Sequence, residues 1–282
     1  MDLKEALGKK LNKKEIALLP RSYDIIGSIA ILDIPNELKK KEKLIAETLM
    51  SISKSIKTVL KKHGKISGRL RTRKLKYVAG LNIKETIHHE SGCLFKLDAE
   101  KCYFSPRLSN DRIAVARQVK PDEKVLVMFS GIAPYAIIIA KRTKAKEVYA
   151  IELNRIANKY ANENVRLNKL NNVKIIQGDV KKIIPLLKRK GIKFDRIVMA
   201  RPQLKDDFLD VALKISKKGT VINFHDFLKE DEMPNAAIEK IDNAVMEFGK
   251  KNAIKKYRLI RWKKALEIGP RKWRVRIDFY VF

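Results

Sequence analysis

Residues Val125–Glu152 read VLVMFSGIAPYAIIIAKRTKAKEVYAIE, a pattern of strand, glycine turn, helix and strand. Val125–Phe129 is a short apolar run of the kind made by a strand buried on both faces. Ser130 and Gly131 form a turn with no bulky Cβ at its tightest point. Pro134 suits a first helical turn, where its missing N–H costs little. Ala136–Ala140 fills the helix, and Glu147–Ile151 is the next strand, closed by Glu152. Glu152 follows Gly131 by 21 residues. Nucleoside-binding folds place an acid about 20 residues after such a turn, where it accepts hydrogen bonds from ribose hydroxyls. The spacing therefore predicts a nucleoside-bearing ligand. The alternative is an ordinary βαβ unit with a chance acid at a strand end.

Downstream, the alternation continues. A helix over 155–168 leads to a strand over 173–176 that runs into Gly178-Asp179-Val180. A strand over 195–199 runs directly into Ala200-Arg201-Pro202. A helix over 207–216, capped by Lys218-Gly219, precedes a strand over 220–225. Alternating strands and helices predict an α/β fold with a doubly wound parallel sheet. In such sheets ligands sit outside the carboxyl ends of the strands, and Ser130, Glu152, Asp179 and Ala200 fall at four consecutive ends. A helix over 238–252 and strands over 257–265 and 273–282 complete the chain. Upstream, 22–35 reads as a hairpin or bent strand split by Gly27. Steps of three and four predict an amphipathic helix over 36–60, its regular part starting near Glu42 because the lysines before it oppose the dipole. In SGRLRTRK, Arg69, Arg71 and Arg73 alternate, so on a strand they share one face, either facing phosphates or guarding an edge. Ser109 or Asn110 is placed to cap a helix running to Val119, with Asp111 in its first turn. The predicted division is a small α+β domain over 1–97 and a Rossmann-like domain over 98–282.

The composition limits the functional classes. The chain has 282 residues and is 45% hydrophobic, so it folds into domains with real cores. No apolar run reaches the length of about 20 residues that a membrane helix needs, and MDLKEALGKKLNKKE has no apolar signal core, so a cytoplasmic, membrane-free monomer is expected. Cys93 and Cys102 are the only cysteines, consistent with a reducing compartment. Their spacing with His88 and His89 fits no standard zinc pattern, so no metal is predicted. Lys and Arg number 63 against 32 Asp and Glu, a net charge of +31. Such a one-sided excess predicts a polyanionic partner and salt-dependent binding. A lysine-biased proteome is the other source of that charge.

Taken together, YDIIGSIAIL (23–32), ETIHHESGCLFKLD (85–98), YFSPRLSNDR (103–112), MFSGIAPYAI (128–137), FLDVALK (208–214) and GPRKWRVRIDF (269–279) resemble the archaeal and eukaryotic-type tRNA guanine-37 N1-methyltransferases and their wyosine-precursor methyltransferase relatives. The resemblance implies a class I methyltransferase sheet, S-adenosyl-L-methionine as cofactor and the anticodon stem-loop of tRNA as partner. It assigns Arg71, Arg107 and Asp111 to catalysis. Arg112, Met128, Phe129, Ser130, Gly131, Pro134, Glu152, Leu153, Asp179, Val180 and Ala200 would hold the cofactor, and Arg69, Arg73 and Tyr103 would contact RNA. Some members carry a further small N-terminal domain, for which this chain is too short.

The implied chemistry is sound in itself. Guanine N1 carries a proton and is a poor nucleophile, and a nearby carboxylate could remove that proton as the methyl group arrives. An arginine could stabilise charge at O6. Asp111 stands where the family has Glu; its other reading is a first-turn acid stabilised by the helix dipole. Three further positions depart from the family: Val127 replaces Asp, Ala133 replaces the second glycine of the turn, and Ala200 replaces a polar Asn at the crevice floor. The aminocarboxypropyl-transferring relatives lack an arginine after Ser-Pro, so Arg107 argues for methyl transfer. The first expectation is methylation of guanine-37 at N1. Methylation of the wyosine precursor, alone or in addition, and a catalytically degenerate RNA-binding module are the alternatives.

Overall fold

The computed structural model describes residues 2–20, 22–68, 70, 72–200 and 205–282, and the chain forms two units, Met1–Pro106 and Arg107–Phe282. The first unit opens with helices α1 (Leu3–Leu7) and α2 (Lys13–Ala17), each closed by a capping box, Asp2 with Glu5 and Asn12 with Glu15. Strands β1 (Asp24–Ile26) and β2 (Ile29–Leu32) make the expected hairpin around Gly27. Gly27 has φ +55°, and a Cβ there would lie 2.3 Å from Thr86 Oγ1, so only glycine fits.

The helix expected over 36–60 is shorter. Residues 36–41 form a 3-10 turn, and α3 spans Glu42–Ile52. Beyond it Ser53 is extended, and β-branched Thr58 and Val59 enter strand β3 (Thr58–Ser67), which pairs parallel to β2. Leu60 is therefore a buried strand residue, not the end of a helix. Strand β4 (Thr72–Gly80) returns antiparallel to β3. Gly68 and Leu70 lie in a turn, so SGRLRTRK is not one continuous strand. Arg69 and Arg71 lie outside the described residues. Leu7, Leu32, Leu38, Ile45, Leu49 and Val59 centre this unit's core.

Strands β5 (Glu85–Glu90) and β6 (Cys93–Asp98) form a separate hairpin. The unit ends nine residues later than the expected break after 97, which falls within β6. The reason is local bonding: Ala99 N–H donates to Lys84 O at 2.8 Å, and Leu75 N–H to Glu100 Oε2 at 2.7 Å, which tie 99–100 back to the first unit. Cys93 and Cys102 are buried and not joined in a disulfide. His88 Nδ1 accepts from Gly27 N–H at 3.2 Å, a structural role.

The second unit begins with α4 (Ser109–Ala116). Its N-cap is Leu108 and no side chain caps it, so neither Ser109 nor Asn110 plays the expected part, and the helix stops three residues short of Val119. The alternation then follows as β7 (Lys124–Met128), α5 (Pro134–Arg142), β8 (Glu147–Glu152), α6 (Arg155–Leu167), β9 (Val173–Gln177), α7 (Val180–Arg189), β10 (Phe194–Met199) and α8 (Leu209–Ile215). Helix α7 has no counterpart in the sequence reading, where Pro185 in its interior hid the helical period. Strand β11 spans Ser216–Lys229, so Ser216 ends α8 and Lys218-Gly219 lie inside the strand rather than forming a cap. Helix α9 (Asn235–Gly249) and strands β12 (Tyr257–Gly269) and β13 (Lys272–Val281) follow.

The sheet order is β12-β13-β11-β10-β7-β8-β9. Strands β11, β10, β7, β8 and β9 are parallel, and β13 and β12 are antiparallel additions. The order reverses between β7 and β10, so the topological switch point lies at the ends of these two strands. Helices α7, α8 and α9 cover one face through Ile184, Leu213, Ile241 and their neighbours, packed on Met128, Ile197, Phe224 and Ile277. Along β13, Val275, Ile277 and Phe279 point into that core, so Arg274, Arg276 and Asp278 point to the opposite face by the period-2 rule.

Candidate active site

The loop after β7 is wound tightly. Phe129, Gly131 and Ala133 have φ of 60°, 57° and 67°, so three alternate residues are left-handed. Gly adopts this freely; for Ala and Phe it costs about 1–2 kcal/mol each, the kind of strain that collects at functional sites. The loop is held in return. Ala133 N–H donates to Ser130 O at 2.9 Å, and Asn164 Nδ2 donates to Ile132 O at 3.2 Å. Pro134 opens α5 as expected.

This loop and Glu152 are joined directly. Gly131 N–H donates to Glu152 Oε2 and Asn154 N–H to Oε1, both at 2.7 Å, and Leu153 N–H adds a third bond. Burial raises the Glu152 carboxyl above its ordinary range, and these backbone donors only partly offset that. Beside it the Ser130 hydroxyl is buried with no hydrogen-bond partner among the described residues. A half-buried carboxylate with one acceptor site left, next to an unpaired hydroxyl, fits the diol of a ribose. The glycine turn keeps the backbone low enough for a ligand to approach.

The remaining expected residues fall along the same row of strand ends. Buried Met128 ends β7 under half-buried Phe129, whose ring meets that of Phe208 edge-on at 4.9 Å. Leu153 follows β8. Asp179 caps α7, accepting from Lys181 N–H at 2.9 Å, and Val180 is buried behind it. Half-buried Ala200 follows β10 directly. The structure thus brings these cofactor candidates together at the ends of β10, β7, β8 and β9, four adjacent strands. In the first unit, Arg73 lies near the start of β4 with its Nε unpaired, and Tyr103 is exposed.

Asp111 lies elsewhere in the second unit, over β11 and β13. It is 5% exposed, and both carboxylate oxygens are taken. Arg276 Nη1 bonds Oδ1; Tyr135 O–H donates to Oδ2 at 2.5 Å, and His225 Nε2 lies 2.8 Å from the same atom. Burial alone would raise this carboxyl, but His225, Arg276 and Tyr135 outweigh it and hold the group well below the usual carboxylate range. Both ring nitrogens of His225 face acceptors, since Nδ1 lies 3.1 Å from Met199 O. Burial and the charge of Arg274 push its pKa down against the pull of Asp111. Tyr135 is driven well above its ordinary value by burial and by Asp111.

The network continues away from Asp111. Arg276 Nε donates to Asp278 Oδ1 at 2.9 Å, Asn223 Nδ2 to the same oxygen at 2.6 Å, and Gln118 Nε2 to Oδ2 at 2.9 Å. Arg196 bonds Asn223 at 3.2 Å and Glu123 at 2.8 Å. Three carboxylates thus face two guanidiniums in a buried row, each with several hydrogen bonds, which is what makes buried charge tolerable. Of this row only Asp111 was anticipated. The signal was present in Trp273–Phe279, WRVRIDF, where charge recurs at every second position of an otherwise apolar strand. Arg112 is buried, its Cζ 6.0 Å from the centre of the Tyr135 ring, whereas Arg107 is exposed. Among the described residues no group of three His, Cys, Asp or Glu side chains is placed to hold a metal ion, and no helix is long and apolar enough to cross a membrane.

A doubly wound sheet flanked by antiparallel β13, with a glycine turn at its switch point and a ribose-spaced acid at the end of the next strand, is the sheet of a class I methyltransferase. Within that class the chain belongs to the TRM5/TYW2 methyltransferase family, whose methyltransferase domain matches residues 86–253, and the TYW2 N-terminal domain matches 3–83. The chain is 41% identical over 263 residues to the tRNA (guanine(37)-N(1))-methyltransferase Trm5b of Pyrococcus abyssi, covering 93% of this chain and 76% of the relative. It is 35% identical over 309 residues to the tRNA (guanine(37)-N(1))/4-demethylwyosine(37)-methyltransferase Taw22 of Nanoarchaeum equitans, covering 92% and 99%. The crystal structure of Pyrococcus abyssi Trm5b superposes with a TM-score of 0.85 at 39% identity, over 96% of this chain and 78% of that one. A complex of aTrm5 and tRNALeu gives 0.83 at 29% identity, over 100% and 78%. TYW2 of M. jannaschii in complex with AdoMet gives 0.68 at 29%, over 93% and 100%.

Proposed function

We propose that this protein is an S-adenosylmethionine-dependent tRNA methyltransferase that methylates guanine at position 37 on N1. The observation that carries the reading is the Glu152 carboxylate, fixed by Gly131 and Asn154 N–H beside the unpaired Ser130 hydroxyl. In this reading Glu152 accepts from the ribose hydroxyls, and Asp179 and Val180 border the adenine. The bound cofactor supplies an electrophilic methyl group on a sulfonium and leaves as S-adenosylhomocysteine. The chain's part is to hold guanine in line with that methyl group and to take the N1 proton. Asp111 is the carboxylate assigned to that proton. With Arg276, His225 and Tyr135 all bonded to it, it is a weak base. Guanine N1–H entering in place of the Tyr135 hydroxyl meets Oδ2 directly. Arg107, exposed at the start of the second unit, and Arg71 are assigned to the substrate. The polyanionic partner implied by a net charge of +31 is the tRNA.

A second reading is favoured by Ala200. A methyl group where a polar side chain is expected leaves the end of β10 able to face a larger tricyclic base, and the similarity to Taw22 supports methylation of 4-demethylwyosine by the same site. The test is incubation with S-adenosylmethionine and tRNA bearing either base, followed by digestion and mass spectrometry of the nucleosides. Methylated guanosine from the first tRNA is the expected result. No product from either tRNA overturns the proposal. Absence of calorimetric binding to S-adenosylhomocysteine would leave only an RNA-binding module.

A further inference from the structure

Arg274 is 2% exposed, yet its Nε and Nη2 have no hydrogen-bond partner among the described residues. These two nitrogens form one edge of the guanidinium, with parallel N–H bonds that match two acceptors lying side by side. Leaving two such donors unpaired inside a protein costs about 1–3 kcal/mol each, so a buried arginine in this state needs an explanation. Neighbouring Arg276, by contrast, spends its donors on Asp111 and Asp278.

The position of Arg274 narrows what it meets. It pairs with Phe227 of β11, three residues past Phe224, which faces the last residue of β10, Met199. It therefore overhangs the carboxyl end of the parallel sheet, where ligands bind. It lies on the face that carries His225, Arg276 and Asp111, and its charge acts on both His225 and Tyr135. Its Cζ sits 5.6 Å from the centre of the Phe227 ring, so an apolar plane adjoins the fork. The ribose acid Glu152 is remote: β8, which it closes, and β13 are four strand spacings apart, about 19 Å at roughly 4.8 Å each. A methionine tail running from a ribose held at Glu152 falls well short of that distance. A base lying beyond the sulfonium reaches further.

We propose that the Nε–Nη2 edge of Arg274 is a recognition fork for the target base, donating to the O6 and N7 acceptors of guanine while Asp111 faces N1. The pairing is the side-on bidentate contact by which arginine distinguishes guanine elsewhere. It rests on the guanine substrate proposed above, and it makes Arg274 a specificity-determining residue that satisfies its own buried donors only when substrate is present.

The probes are two RNA anticodon stem-loops, one with guanine at position 37 and one with 7-deazaguanine, which lacks the N7 acceptor. With the unaltered protein, kcat/KM and binding affinity fall about 10-fold on 7-deazaguanine, the share of one bond in a bidentate pair. Arg274→Met loses about 30-fold on guanine and treats the two hairpins alike within a factor of two. Arg274→Lys, which keeps the charge without the fork, loses the same discrimination. The affinity for S-adenosylhomocysteine stays within twofold in both variants. If the unaltered protein treats the two hairpins alike, the fork is refuted without any variant. A tenfold loss of S-adenosylhomocysteine affinity in Arg274→Met would instead give the fork to the cofactor carboxylate, and an equal loss on both hairpins would make it structural; each overturns the proposal. A protein that binds the guanine hairpin more tightly than its 7-deaza form but methylates neither retains the fork and loses the reaction.

Discussion

Replacing Asp111 by Asn tests the buried row at its most loaded point. The carboxylate receives Arg276 on one oxygen and Tyr135 and His225 on the other. An amide can keep its oxygen toward Arg276 only by turning its NH2 toward Tyr135 and His225. The tyrosine hydroxyl can rotate to accept, and the imidazole can shift its proton to the other nitrogen, so packing survives. The charge does not, and Arg276 keeps only Asp278 as a counter-ion. Removing one member of a buried pair costs about 3–5 kcal/mol, and the remaining partner puts this case at the low end, about 3 kcal/mol. For a unit of this size that lowers the melting temperature by about 6–12 °C. The loss has a pH signature. The Asp111 carboxyl is depressed below the unfolded value of about 3.9, so its stabilisation is present above that pH and fades as pH falls through the folded pKa. Urea denaturation from pH 8 to pH 3 should show a constant gap between the two proteins down to about pH 4, narrowing below it. The same variant should bind tRNA normally and turn over about 100-fold more slowly, the usual loss for a general base. A stability loss under about 1 kcal/mol would refute the buried row. An unchanged rate would remove Asp111 from the chemistry.

Glu152→Gln should weaken S-adenosylhomocysteine binding by about 10- to 100-fold in calorimetry, since one oxygen becomes a donor facing a backbone N–H; unchanged affinity would place the ribose elsewhere. Ala133→Val sets a β-branched residue at φ 67° in a fully buried position, so it should cost about 2–4 kcal/mol in thermal melts, and an undisturbed melt would contradict the loop's geometry. Arg107→Ala should leave stability within about 0.5 kcal/mol because the side chain is exposed, yet slow methyl transfer about 100-fold; a wild-type rate would free Arg107 of its catalytic assignment.

The parallel half of the sheet was legible because its strands are short apolar runs bounded by Gly131, Glu152 and Asp179, and their period does not compete with anything else. The end of α3 was not, because Ile56 and Leu60 continue a helical spacing by coincidence while Thr58 and Val59 pair with β2. Tertiary pairing overrode the local period there. Pro185 hid α7, since an interior proline is normally a helix breaker. At the site, the row at the strand ends followed from spacing alone. The partners of Asp111 did not, because Tyr135, His225 and Arg276 lie 24, 114 and 165 residues away in sequence, and only the folded sheet brings them to one carboxylate.

The winding of the turn after β7 has a consequence for how this protein can change. With Phe129, Gly131 and Ala133 all left-handed within five residues, and Gly131 N–H committed to Glu152, the segment behaves as a preloaded clip. A larger side chain at 133, or a residue other than glycine at 131, would unwind it. New preferences must therefore be written at positions free of that tension. Ala200 is such a place: an ordinary site that can trade its methyl group for other chemistry while the clip keeps its grip.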